Sequence, residues 1–234
     1  ANLEEIKTGS LRAKDVVRQL LSFSRKTELY RKPIEMNPIV QESIKLLRAS
    51  IPATIEIRLN IPKDMVAIKA DPTQIHQVLI NLCTNAAHAM EKNGGILEIS
   101  LEQLELAEKE ILDNDGLKPG AHIKLTVKDT GHGMEKDVAE RIFDPYFTTK
   151  DVGKGTGMGL AVVHGIVQGH KGSISVESMP GRGTTFILLF PMVEIGKAEI
   201  LKKGKDVLVL CVGPIVYSAL EAANEVKKSV CVVN

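Results

Sequence analysis

The sequence predicts an α+β fold: a two-layer sandwich of a mixed β-sheet covered by helices on one face, preceded by one long amphipathic helix. Three observations carry this. Segments with apolar residues at every second position alternate along the chain with segments repeating every three to four. The turn Pro180-Gly181-Arg182-Gly183 and the polar loop 107–120 join strands without an intervening helix, so part of the sheet is antiparallel. The helical segments are apolar along one stripe only, as helices lying on a sheet are.

Each element follows in order. Residues 3–30 place Leu3, Ile6, Val16, Val17, Leu20, Leu21 and Phe23 among many charges, an amphipathic helix that needs another helix or a partner for its stripe. Pro33 ends it. Asn37-Pro38 reads as an N-cap with proline at the first helical position, opening a helix to about Ser50. In TIEIRLNI, residues 54–61, Ile55, Ile57, Leu59 and Ile61 share one face of a half-buried strand. A shorter strand, MVAIKA, runs into Asp71-Pro72, a second cap-plus-proline start. The helix that follows reaches about Glu91 and turns Ile75, Val78, Leu79, Leu82, Ala86 and Ala89 to the core. Asn93-Gly94-Gly95 turns into strand 96–106, and strand 121–129 follows the polar loop. A short helix (135–143), a glycine-dense loop (150–159), a helix (158–169) and strands 173–179 and 184–190 complete a domain spanning 32–192. Residues 193–206 read as a linker and 207–234 as a strand-helix-strand appendage, too little for a domain of its own.

Composition narrows the class. With 44% apolar and 25% charged residues, the chain of 234 residues is globular rather than disordered. Thirty basic residues against 29 acidic ones leave a net charge of +1, no field for nucleic acid or acidic lipid, and 3% aromatics offer no base-stacking platform. Cys83, Cys211 and Cys231 lie far apart in apolar settings, which predicts buried thiols of a cytoplasmic protein without disulfides or a CxxC metal site. No stretch resembles a signal peptide or spans a bilayer, so no membrane contact is expected.

Four features carry chemistry. On the helix from Asp71, Asn81, Asn85 and His88 lie at i, i+4 and i+7 and share a stripe. It fits either a solvated face or a row of amide oxygens and an imidazole beside a polar ligand. Neutral carbonyl oxygens suit a Mg²⁺ that takes its charge balance from phosphates. In HIKLTVKD, Asp129 has the parity of Ile123, Leu125 and Val127 and continues the inward face, where a carboxylate needs donors. The alternative is an aspartate that caps the turn Asp129-Thr130-Gly131-His132-Gly133. The loop Gly153-Lys154-Gly155-Thr156-Gly157-Met158-Gly159 opens onto a helix, an anion cradle and mobile lid or simply a flexible linker. Lys150 and Lys154 add positive charge to it. Thr184 shares the parity of inward Phe186 and Leu188; alone it fits a satisfied core threonine.

Together and in order, these elements resemble the boxes of the Bergerat-type ATP-binding domain of sensor histidine kinases. NLCTNAAHAM resembles the N box, DTGHGM the first glycine box, FDPYFTTK the phenylalanine box, GKGTGMGLAVV the second glycine box and GRGTTF the last. SLRAKDVVRQLLSFSRK, within residues 1–31, is similar to the second helix of the dimerisation and phosphotransfer hairpin. The resemblance implies that Asp129 accepts from the adenine amino group of ATP, with Thr184 supporting through water. Asn85 would ligate Mg²⁺ with Asn81 adjacent, these two being the catalytic pair, and His88 would lie near the phosphates. Gly131 and Gly133 would line the base pocket, with Phe143 and Phe147 packing the base of the lid. Lys150, Lys154, Gly155, Thr156, Gly157, Met158, Gly159 and Leu160 would bind the triphosphate from the lid. Related ATPases of the gyrase, Hsp90 and mismatch-repair types carry a Glu four residues before the Mg²⁺ asparagine. Here that place is Asn81, whose amide cannot take a proton from water, which favours a kinase over an ATPase.

Two departures qualify the resemblance. The six histidines are His76, His88, His122, His132, His164 and His170, and none precedes residue 76, so the acceptor imidazole expected on the hairpin's first helix is missing from this sequence. The expected activity is therefore transfer to a histidine-bearing hairpin supplied by another chain, with a response regulator as the further partner and at most a weak homodimer. A nucleotide-dependent binding module without catalysis, or a superfamily ATPase, is the alternative. At the C-terminus, the strand DVLVLCVGP ends in Cys211-Val212-Gly213 and lacks the acidic pair of a receiver domain. The last ~35 residues instead resemble part of the C-terminal domain of transketolase-type enzymes, such as deoxyxylulose-phosphate synthase, as a fusion or a divergent tail would.

Overall fold

The computed structural model describes residues 31–62, 67–108, 117–150, 156–193, 200–210, 215–226 and 229–233. The amphipathic helix expected over residues 3–30, together with Lys154, Gly155 and Cys211, lies outside them. The chain divides into two compact units between Met192 and Val193.

In chain order the first unit contains β1 (Lys32–Ile34), α1 (Met36–Leu47), β2 (Ile55–Asn60), β3 (Ile68–Ala70), α2 (Pro72–Ala89), β4 (Gly95–Leu106), β5 (Gly120–Asp129), α3 (Lys136–Ala139), α4 (Gly159–Gly169), β6 (Ser173–Met179) and β7 (Gly183–Pro191). Five strands form one sheet in the order β2-β4-β5-β7-β6, with β2 and β4 parallel and the other neighbours antiparallel. That is the mixed sheet expected from the connections. β1 and β3 form a separate antiparallel pair.

The inward residues of the sheet line up in rungs. Ile174, Leu188, Leu125 and Leu101 make one; Val176, Phe186, Val127 and Ile99 make the next. These rungs join the buried residues of α1, α2 and α4 in a single core. Such burial contributes roughly 25 cal/mol per Å² of apolar surface, the main force holding the two layers together. One rung further the apolar ladder stops, and the paired residues are Ser178, Thr184 and Asp129, with Leu97 beyond.

α2 starts where its sequence says it should. Asp71 is the N-cap, its Oδ1 accepting from the Thr73 N–H at 2.9 Å, and Pro72 stands at the first helical position. The Asp71 N–H in turn donates to His170 Nε2 at 3.1 Å, while His170 Nδ1 donates to the Ile166 carbonyl at 2.8 Å. The imidazole thus ties the start of α2 to the end of α4 in its neutral form. α1 and α2 are also joined by polar atoms. Ser43 Oγ donates to the Ile39 carbonyl and accepts from His76 Nδ1, and His76 Nε2 lies 3.6 Å from a Glu42 carboxylate oxygen. With its proton spent on Ile39, Ser43 is a clamp and not a nucleophile.

Three expectations need correction. α1 begins at Met36 with Glu35 as N-cap, so Asn37 does not cap it. The Asn37 amide instead donates to the Pro62 carbonyl, and Pro38 falls in the first turn, where its missing N–H has no helical partner to lose. The alternation of residues 54–61 overstates burial: β2 is an edge strand, and Leu59 is 44% exposed although Ile55 is buried. In the stretch read as a linker, Ile200–Lys202 forms strand β8, because it pairs with a partner thirty residues later that no local pattern reveals.

The second unit holds β8, β9 (Val207–Leu210), α5 (Ile215–Glu225) and β10 (Val230–Val233), in the sheet order β8-β10-β9. β9 and β10 are parallel across the α5 crossover, and Ala223, Val230 and Val232 form its small core. Among the described residues, no helix is long and apolar enough to cross a membrane.

His170 makes a prediction. Burial pushes its pKa below the ordinary 6.5, so the folded state favours the neutral ring. The stability this adds is present above 6.5 and is lost as the pH falls through 6.5 towards the lowered folded value. Thermal melts from pH 7.5 to 5.5 should show a falling midpoint, and His170→Gln should lower the midpoint at pH 7.5 yet flatten this acid dependence.

Candidate functional site

The site is built where the apolar ladder ends. Asp129 is 4% exposed and Thr184 is 6% exposed, paired across β5 and β7 on the helix-facing side. A carboxylate in that position needs hydrogen-bond donors, and the chain supplies backbone ones. Asp129 Oδ1 accepts from the Gly131 N–H at 2.8 Å, and the backbone of Thr184 also bonds the carboxylate. Burial raises its pKa, and the two backbone bonds and nearby His132 offset only part of that rise. The turn reading and the ligand reading of Asp129 are therefore compatible. An ionised carboxylate offers about four lone-pair sites, and the turn fixes its orientation without exhausting them.

The turn closes only because it can approach α2. A Cβ on Gly131 would lie 2.6 Å from Ala89 Cβ and 2.8 Å from the Ala89 carbonyl oxygen, which itself accepts from the His132 N–H at 3.2 Å. Gly133 packs on the Met179 carbonyl and Gly183 on the Asp129 carbonyl. Thr130 Oγ1 accepts from the Ile96 N–H at 2.9 Å and fixes the other shoulder. Ser178 completes the polar rung: its Oγ lies 2.9 Å from Thr184 Oγ1 and accepts from the Met134 N–H at 2.9 Å. Ser178 is not among the residues that the sequence singles out. Continuing the parity of Ile174 and Val176 by one more step would have found it.

Ala89 links this rung to the second half of the site, the polar stripe of α2. Lys150 Nζ lies 2.8 Å from His88 Nδ1 and 3.3 Å from Asn85 Oδ1. An ammonium only donates, so His88 Nδ1 is an acceptor and its proton sits on Nε2. Burial is the main cause of a lowered pKa in both His88 and Lys150; the charge of Lys150 adds to the effect on His88, and Glu91 opposes it in both. Asn81 stands apart from this cluster. Its Nδ2 bonds back to the Gln77 carbonyl at 3.0 Å, and its Oδ1 faces the Cα of Gly159 at the start of α4.

Of the glycine loop, the described part is its C-terminal shoulder. The Tyr146 N–H donates to the Gly157 carbonyl at 3.0 Å, Met158 is buried, and its N–H lies 3.4 Å from Thr156 Oγ1. The N-cap Met158 makes no side-chain hydrogen bond to α4, so the first N–H groups, from Gly159 and Leu160 onwards, carry the partial positive charge of a helix start. Beneath it, Phe143 stacks at 5.4 Å on His164 and the Arg141 guanidinium covers the Phe147 ring at 4.5 Å. The structure thus gathers Asp129, Thr184, Gly131 and Gly133 into one cluster, and Asn85, His88 and Lys150 into another.

No group of three or more His, Cys, Asp or Glu among the described residues could hold a metal by itself. An Mg²⁺ fits all the same if a ligand brings phosphate oxygens with it, because Asn85 already presents its oxygen to a cation, the Lys150 ammonium.

Residues 70–194 match the family model described as histidine kinase-, DNA gyrase B-, and HSP90-like ATPase. The sensor kinase CckA of Brucella abortus is 36% identical over 199 residues, covering 85% of this chain and 21% of the relative. The sensor histidine kinase ZraS of Escherichia coli is 36% identical over 178 residues, 76% of this chain and 34% of its own. The chain thus spans a fifth to a third of these curated relatives. Among solved structures, the catalytic domain of histidine kinase ThkA superposes with a TM-score of 0.55 at 28% identity, covering 69% of this chain and 95% of that one. ThkA in complex with the response regulator TrrA matches with a TM-score of 0.60 at 26% identity, over 80% and 49%. The likeness of the C-terminal stretch to transketolase-type enzymes gains no support from these comparisons.

The packing around Asp129 can be tested at two glycines of one turn. Gly181 and Gly183 both have positive φ, but a Cβ on Gly181 meets nothing within 4 Å, whereas one on Gly183 would lie 2.0 Å from the Asp129 carbonyl oxygen. Urea unfolding should show Gly181→Ala costing about 1 kcal/mol and Gly183→Ala at least twice as much.

Proposed function

The chain belongs to the family of histidine kinase-, DNA gyrase B- and HSP90-like ATPases and holds the ATP-binding catalytic core of a two-component sensor histidine kinase, and we propose that this core passes the γ-phosphate of ATP to a histidine on a separate phosphotransfer hairpin. One observation supports the reading above others: a buried carboxylate closes an apolar ladder and is joined through Ala89 to a cluster already organised around a cation.

In this reading the base slides onto the polar rung. Asp129 accepts from the adenine amino group and Thr184 supports it, while Gly131 and Gly133 let the turn approach closely. The triphosphate runs towards the α2 stripe. There Asn85 would hold Mg²⁺, which when bound neutralises phosphate charge, while Asn81 stands one helical turn back against the start of α4. His88 lies near the phosphates. Lys150, Lys154, Gly155, Thr156, Gly157, Met158, Gly159 and Leu160 close over them, the start of α4 adding its N–H groups. Catalysis then rests on positioning and charge neutralisation rather than on a protein base.

Asn81 argues against efficient hydrolysis. A water-activating group must accept a proton, an amide does not, and the Asn81 amide is spent on the Gln77 carbonyl. ATP is then held for an external nucleophile, the imidazole of a hairpin, from which a response regulator takes the phosphoryl group. The solved complex of ThkA with its response regulator favours that partner.

Incubation with γ-labelled ATP and a separately prepared hairpin tests this. Acid-labile label should accumulate on the hairpin and not on the chain; steady phosphate release without hairpin label would contradict it. In calorimetry, Asp129→Ala should weaken ATP binding by about 10- to 100-fold, the worth of a charge-assisted hydrogen bond of ~1.5–3 kcal/mol. Asn85→Ala should weaken binding in the presence of Mg²⁺ and leave metal-free binding nearly unchanged.

A further inference from the structure

Ser178 has three hydrogen-bond neighbours and one proton. The Met134 N–H at 2.9 Å can only donate to it, and the Gly183 carbonyl at 3.1 Å can only accept from it. The third neighbour, Thr184 Oγ1 at 2.9 Å, could act either way. A hydroxyl has one proton and two lone pairs, so giving the proton to Gly183 leaves both lone pairs of Ser178 to accept. One takes the Met134 N–H and the other takes the proton of Thr184. The hydroxyl of Thr184 is then left with lone pairs only.

We infer that Ser178 is a positioning residue that draws the Thr184 proton away from the site, so that Thr184 stands beside Asp129 as a second acceptor and the wall selects a ring carrying an amino group over one carrying an oxo group. The inference rests on the reading of Asp129 as the group that recognises the base. Thr184 and Asp129 are paired on adjacent strands, and Ser178 is paired with Thr184 on the far side, so the three form one rung. An amino group donates to both acceptors. An oxo group turns lone pairs towards both acceptors, and the only proton left on that edge sits on the neighbouring ring nitrogen, one position away, the kind of mismatch that discriminates in a buried site. Without Ser178, the Thr184 hydroxyl is free to turn its proton towards the ligand and greet the oxo group.

The probe pair is ATP and inosine triphosphate, which carries an oxo group in place of the amino group and a proton on the neighbouring ring nitrogen. Dissociation constants for both are measured on the same protein, so a reduced folded fraction cancels from their ratio. The unaltered chain should prefer ATP. Ser178→Ala should lower that preference by about tenfold, mostly by improved inosine triphosphate binding, whereas Ser178→Thr, which keeps the hydroxyl, should retain it within about twofold. In a Thr184→Val background, Ser178→Ala should have no further effect on the ratio. An unchanged ratio in Ser178→Ala, or an equal drop with and without the Thr184 hydroxyl, overturns the inference. If Ser178→Ala does not fold, Thr184→Val decides by itself: a ratio equal to that of the unaltered chain overturns it. Failure of ATP to bind the unaltered chain removes the nucleotide reading and this inference together, whereas binding with an indifferent ratio removes this inference alone.

Discussion

Enclosing a negative charge between a sheet and its helices demands donors, and Asp129 is where this fold meets that demand. The answer is local: the N–H of Gly131, two residues on, bends back to the carboxylate. That bend brings the turn against the end of α2, where only a residue without a side chain fits beside Ala89. The Ala89 carbonyl then takes the His132 N–H and locks the contact. The far end of the same helix is pinned through Asp71 and His170 to α4. A single buried acid thus dictates the course of the turn, the seat of α2 and, one helical turn back from Ala89, the place of Asn85.

How much of this could be read from residues alone depends on the range of the interaction. Asp71-Pro72 announces α2 because an N-cap and a proline start act within three residues. The inward parity of Asp129 and Thr184 was visible because alternation along a strand is local. Asn37-Pro38 misled for the same reason: its pattern is that of a cap, but the amide found a carbonyl twenty-five residues away. β8 was hidden because a three-residue strand declares itself only through its partner. Lys150 was legible as a positive charge near a glycine loop, but not as a ligand of His88 and Asn85, sixty-two and sixty-five residues earlier. Ser178 was hidden by its ordinariness, a serine near a strand end.

The polar rung also explains how Asp129 can hold the turn and still, in the proposed reading, keep lone pairs for a ligand. Among the described residues its donors are backbone ones, with no lysine or arginine partner, and a cation placed there would neutralise the carboxylate and close it to a neutral donor. The site takes its charge complement from the other cluster instead. Ala89 and the end of α2 stand between the buried carboxylate on one side and the Lys150 charge on the other.

The Lys150 ammonium has one further consequence. Resting on Asn85 and His88, it acts as a counter-ion that the polypeptide carries with it, so these two acceptors of the α2 stripe already face a cation. Under the proposed reading, loading this place with a dissolved cation would be an exchange of one ion for another, and its apparent strength would measure a difference between two occupants.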